Sequence, residues 1–256
     1  MSESCLFVEE QSIVRKIWGN GDTILFIFAG ASAEFALNKA VDWLYFTGRL
    51  PADPLGRLFS TVSYAREIVF SSEEDALKAI DRITAIHTSV ESARGAQIPD
   101  WAYRDVLYML IDYSIRSFEV LQRKLSDAEK EEAFNVFYRM GLRMGLKDLP
   151  TSYVKWLPSR ASHLHNDLVY SKYTADLFNQ YKKHLGALRY KLLTEAQAIL
   201  VPKTVGSLLG LNDTWLIKPL LSMYKIGRNY SPGQWLRKQI LPKQYRKQID
   251  DLDNKN

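Results

Sequence analysis

Apolar positions along this chain recur at spacings of three and four, the period of a helix that buries one face. The first such run, "TILFIFAGASAEFAL", predicts a helix capped by Asp22 and extending toward Phe46, with Gly48 and Pro51 ending it. A second opens at Asp53 as N-cap, with Pro54 at the first helical position, and carries Leu55, Leu58, Val62, Ala65 and Val69 as its stripe. A third starts from a capping box of Ser71 with Glu74 and continues through Ala76, Ile80, Ile83 and Ile86.

Asp100 is positioned to cap "WAYRDVLYMLIDYSIRSFEVLQRKL", which is apolar on most faces and therefore predicted to be central. Ser126 with Glu129 forms another capping box, and Gly145 is placed to end that helix. Beyond it, helical runs alternate with Pro158, Pro202, Pro219, Pro232 and Pro242. The segment "HLHNDLVYSKYTADLFNQYKKHLGALRYKLLTEAQAILV" reads as one or two long helices, with Tyr170, Tyr173, Leu177, Tyr181 and Leu185 near one face. Strand signals are nearly absent, and no internal repeat or long polar linker interrupts the pattern. The expected fold is one all-α domain of about eight to ten helices.

Composition agrees with a single large core: 256 residues, 46% hydrophobic and 25% charged. The net charge is +5, and much of the positive excess lies between Lys203 and Lys255. No zinc-finger, RNA-recognition or homeodomain spacing accompanies it, so no nucleic-acid partner is expected. Within that region "IGRNYSPGQWLRKQILPKQYRKQ" interleaves basic and aromatic residues, which suits either a solvated face or a peripheral membrane contact. The single cysteine, Cys5, rules out an intramolecular disulfide and fits a reducing cytoplasm. The start "MSESCLFVEE" lacks the pattern of a signal peptide. Glu34, Asn38 and Lys39 interrupt the most apolar run well short of the roughly 20 residues of a membrane span. A soluble, cytoplasmic protein is the expectation.

Candidate chemistry lies where polar residues break the helical patterning. Arg57, Thr61, Tyr64 and Ile68 follow one another at spacings of four, three and four, and so share a face beside the apolar stripe. That face can donate hydrogen bonds to an anionic or oxygen-rich group, or it can be a half-exposed flank with Arg57 paired to a carboxylate. His87 lies between Ile83 and Val90 on the next helix. It reads either as a core histidine satisfied by backbone and a hydroxyl such as that of Thr84, or as a metal ligand whose second ring nitrogen donates to a carbonyl. His163 and His165 point to different faces of a helix and make a poor chelate, and His184 follows two lysines and is expected in solvent. No HxxE, HExxH or Glu-x-x-His spacing is present, which counts against a mononuclear non-haem iron or zinc site, and the lack of a nucleophile elbow or phosphate-binding glycine loop counts against hydrolases and nucleotide enzymes.

The block "ADPLGRLFSTVSYAREIVFSSEEDALKAIDRITAIHTSV" resembles the MpaB oxygenase family, which includes the latex-clearing rubber oxygenases. The matching positions are Asp53, Pro54, Arg57 and Thr61, then Val69 and Phe70, then Glu74 to Ala76, then Asp81, Arg82 and His87. Asp112, Phe118, "LSDAEKEE" and "ILPKQYRKQI" are similar to later parts of the family pattern. The resemblance implies a family domain over residues 13–249, between an N-terminal extension at 1–12 and a polar tail at 250–256, with a globin-like helical core. It also implies that His87 is the proximal ligand of haem b, with Arg57 and Thr61 beside the haem and taking part in catalysis; Tyr64, on the same helix face, is a further cofactor-binding candidate. The reaction implied is O₂-dependent oxidation or cleavage of an apolar substrate, isoprenoid-like or lipid, with an electron donor as a further partner. Ser60 stands where latex-clearing proteins carry a distal lysine, and the distal carboxylate corresponds to either Glu34 or Asp42. A non-catalytic helical haem- or lipid-binding protein of the same fold is the alternative reading.

Overall fold

Two apolar helices cross at the centre of the structure, a computed structural model that describes residues 5–48, 52–211, 217, 219, 221 and 222. Side chains at 54, 55 and 57–59 are outside that set. Ten helices and no strand occur among the described residues, so the expected all-α domain is what forms.

The first three helices are α1 (Ile13–Trp18), α2 (Gly21–Leu37) and α3 (Asp42–Phe46). Two expectations are corrected here. The cap of α2 is Asn20, not Asp22: its side chain accepts from the Thr23 backbone N–H at 2.9 Å, and Asp22 falls inside the first turn. The helix also stops at Leu37 instead of reaching Phe46. Asn38 turns extended (φ −64°, ψ 133°), accepts the Ala40 N–H on its side-chain oxygen at 2.8 Å and donates its amide to Asp105 at 2.6 Å. A side chain that satisfies backbone groups locally in this way competes with helix continuation.

α4 (Pro54–Phe70) begins as predicted, with the Asp53 carboxylate accepting from the Gly56 N–H at 2.8 Å. α5 (Glu73–Arg94) is capped by Ser72 and not by Ser71; Ser71 is extended, and its carbonyl accepts from the Phe7 N–H. That bond and the Leu6–Ser72 bridge pin the N-terminal segment, whose Phe7 and Val8 are buried in the core. α6 (Asp100–Leu121) follows Pro99, so Asp100 is its first residue and not its cap. It is the most buried helix and packs most extensively on α2, as its near-uniform apolarity predicts.

α7 (Asp127–Arg143) has the predicted capping box of Ser126 with Glu129, and Gly145 follows its end at φ 79°, where a side chain would be strained. α8 (Tyr153–Asn166), α9 (Lys172–Leu200) and α10 (Lys203–Leu209) complete the body. The long final run is thus divided at 167–171, and again at Gly186, whose φ of 75° breaks α9. Leu177, Tyr181 and Leu185 bury the predicted face against Ala36 and Val41. No helix among the described residues is long and apolar enough to cross a membrane. The segment 226–248 and the tail 250–256 lie outside the described residues.

Candidate functional site

α4 and α5 pack on each other, but α5 is covered along only part of its length. Its N-terminal half buries Ala76, Ala79 and Ile80. Past Ile80 the stripe is only partly covered by the described residues: Ile83, His87 and Val90 are half-buried, and Ile86 is 42% exposed. The imidazole of His87 meets the ring of Tyr103, from α6, edge-on at 5.2 Å between centroids. Tyr103 is held in turn by its hydroxyl, which donates to Glu91 at 3.1 Å. Burial and then this carboxylate raise the phenol above its ordinary pKa, so it remains a neutral donor. Thr84, the hydroxyl expected near His87, donates to the Ile80 carbonyl one turn back.

On α4 the predicted face is graded. Ile68 is buried, Thr61 and Tyr64 are half-buried, and Ser60 is half-buried beside Thr61. Arg57 lies on the same helix, with its side chain outside the described residues. At the far end of α5, seven residues and two turns beyond His87 on the same side, Arg94 pairs with Asp42 at 2.6 Å and lies 3.9 Å over the Trp43 ring. Phe46, 49% exposed, adjoins the same guanidinium. Asp42 is therefore a half-exposed carboxylate near the partly covered half of α5.

Glu34 has a different environment. It is buried at 1% exposure and is gripped by Arg160 of α8 through two parallel bonds of 2.5 and 2.6 Å. The Tyr113 hydroxyl donates to it at 2.8 Å, and Asp112 takes a second pair of bonds from the same guanidinium at 3.0 and 3.2 Å. Burial works against the charge of Arg160, yet Glu34 and Asp112 outweigh it and raise its pKa. Of the two carboxylates offered by the sequence, Glu34 is thus committed to an internal ion network joining α2, α6 and α8. No spacing signals that network, because its members are 34, 112, 113 and 160.

A second polar cluster also escapes the sequence. Asp105 of α6, His163 of α8 and Asp167, the residue that follows α8, bring their ligand atoms within 4.8 Å of one another. His163 Nδ1 bonds the Asp105 carboxylate and lies 3.0 Å from Asp167 Oδ2. Burial, and then the facing Asp105, push the Asp167 carboxyl above its usual range. The i, i+4 relation of His163 and Asp167 was legible, but the third member comes from a distant helix. His165 is exposed and His184 half-buried, and neither joins a cluster of this kind among the described residues.

A family model for the ER-bound oxygenase mpaB/B′/rubber oxygenase catalytic domain matches residues 15–225. No curated protein and no solved structure gives a match.

Proposed function

The chain belongs to the family of the ER-bound oxygenase mpaB/B′/rubber oxygenase catalytic domain, and from that premise we propose that it is a haem-dependent oxygenase acting on an apolar substrate with His87 as the proximal iron ligand. The carrying observation is the partly covered C-terminal half of α5. There an imidazole stands among Ile83, Ile86 and Val90, whose apolar surface the protein leaves partly open. A planar macrocycle covering this face would remove that surface from water, and the imidazole would offer its iron a nitrogen ligand, so the residues fit the group.

Haem b, when bound, supplies the iron that activates O₂ for attack on a C=C or C–H bond of the substrate. The chain's own residues have narrower tasks. Tyr103, fixed by Glu91, limits rotation of the His87 ring. Thr61 and Tyr64 offer hydroxyls on the facing helix, and Arg57 on that helix carries a positive charge suited to a propionate or a polar oxygen ligand. On the resemblance, Ser60 would put a hydroxyl where latex-clearing proteins carry a distal lysine. Of the two distal carboxylate candidates, Asp42 is the one whose exposure suits proton transfer, since Glu34 is enclosed by Arg160 and Tyr113. Apolar neighbours such as Phe46 and Ile86 favour an isoprenoid-like or lipid substrate.

The test is an absorption spectrum of the chain titrated with haem. A Soret band at one haem per chain, lost in His87→Ala, is expected. A wild-type protein that takes up no haem overturns the proposal.

A further inference from the structure

We propose that Asp105, His163 and Asp167 form a binding site for one divalent cation of the zinc or manganese class, which ties the ends of α2 and α8 to the first turns of α6. The geometry supplies three ligand atoms that converge within 4.8 Å, two of them from side chains one helical turn apart. One imidazole nitrogen and two carboxylate oxygens suit a first-row divalent ion with water completing the shell, and suit magnesium less, since magnesium favours an all-oxygen set.

Charge supports the same conclusion. Both carboxylates face the same ring nitrogen, which carries at most one proton, and one N–H cannot point linearly at two acceptors. Lys39 and Arg104 act on Asp167 only from a distance, since their hydrogen bonds go to the Asn166 carbonyl and to the Lys147 carbonyl, and Arg104 also pairs with Asp148. Two carboxylates, one of them 2% exposed, therefore share the one proton that the ring nitrogen can carry. A divalent ion in place of that proton balances them.

The surroundings are ordered as an outer shell orders metal ligands. Asn38 donates to one oxygen of Asp105 at 2.6 Å, which turns the other toward His163. Backbone bonds from Lys39 N–H to Asp167 (2.9 Å) and from Val169 N–H to Leu37 (2.7 Å) clamp the same junction. The site is distinct from the His87 pocket. Asp105 is two residues from Tyr103 on α6, about 200° around the helix, so the two side chains leave on opposite sides.

Calorimetric titration of the chelator-treated full-length chain with zinc chloride tests this. One saturable equivalent is expected, with affinity at least about tenfold weaker in His163→Gln and in Asp167→Asn. At about a hundredfold excess over the wild-type Kd, zinc should raise the wild-type Tm by about 5 °C and that of either variant by no more than about half as much, whereas magnesium should shift none of them. Absence of saturable zinc binding in the wild type overturns the proposal. So does equal binding in the variants, which would assign the metal to surface groups. Should His163→Gln fail to fold, Asp167→Asn, on the more exposed side of the cluster, decides alone. Haem titration of the same samples reads the His87 pocket separately, so the two readings fail independently.

Discussion

Arg160 holds Glu34 by two parallel N–H···O bonds, 2.5 and 2.6 Å long, at a depth where both side chains are at most 5% exposed. At that depth the pair's value lies in its completeness. Removing either charge strands the other in a medium that solvates it poorly. Arg160→Leu or Glu34→Leu alone should therefore cost about 3–5 kcal/mol of unfolding free energy. The double replacement should cost clearly less than the sum, since no charge is stranded on either of these two residues. Urea denaturation of the three variants measures this, and strict additivity would contradict the coupling.

Tyr113, which donates to Glu34, also lies against α2 at Gly30. A Cβ built on Gly30 would come within 2.3 Å of the Tyr113 ring. Gly30→Ala should destabilise the protein by about 1–3 kcal/mol through overpacking. Pairing it with Tyr113→Leu should recover part of the loss, whereas no recovery would place the strain elsewhere.

His87→Ala should abolish the Soret band while changing unfolding free energy by under about 1 kcal/mol, because the residue is half-buried on a partly open helix. Haem retained at unchanged affinity would transfer the ligand role to another residue.

Tyr103 offers a graded test of how the His87 ring is held. Tyr103→Phe keeps the ring contact and removes the bond to Glu91, so it should cost about 1 kcal/mol and leave haem affinity nearly unchanged. Tyr103→Ala removes the contact itself and should weaken haem binding by about tenfold or more. Equal effects of the two would show that the hydroxyl, not the ring, positions His87.

Acid should loosen α7 by way of its cap. The Arg123 guanidinium, together with the Ser126 N–H, holds the Glu129 carboxyl down to about 2. The folded pKa thus lies below the unfolded value, so the contribution is complete above about 4.5 and is lost as pH falls toward 2. Screening by solvent limits it to about 0.5–1 kcal/mol. Glu129→Gln should flatten the stability profile between pH 5 and 2 by about that amount; an unchanged slope would remove Glu129 from the account of acid sensitivity.

Local patterns in the sequence were sufficient where the determining groups are neighbours along the chain. Asp53 with Pro54, Ser126 with Glu129 and Gly145 all act where expected, because a cap or a left-handed turn needs only residues three or four apart. The same reasoning slipped by one or two positions at Asp22, Ser71 and Asp100. There Asn20, Ser72 and Pro99 take the cap position instead, one or two residues from the expected one. At Asn38 the sequence showed only an interruption of the apolar run and not the end of the helix, since the amide there is drawn to Asp105, 67 residues away.

By itself the sequence determined an all-helical chain, the helix face that Thr61 and Tyr64 share, the place of His87 among the apolar residues of the next helix, and the family resemblance in the block around them. Periodicity and capping depend on short-range geometry, which the order of residues carries directly. Only the tertiary structure decided that the stripe past Ile80 stays partly uncovered, that Glu34 is enclosed by Arg160 while Asp42 is left near the rim, and that Asp105 meets His163 and Asp167. Those outcomes follow from which helices pack together. A charge finds its partner or its solvent only once distant helices have been brought side by side.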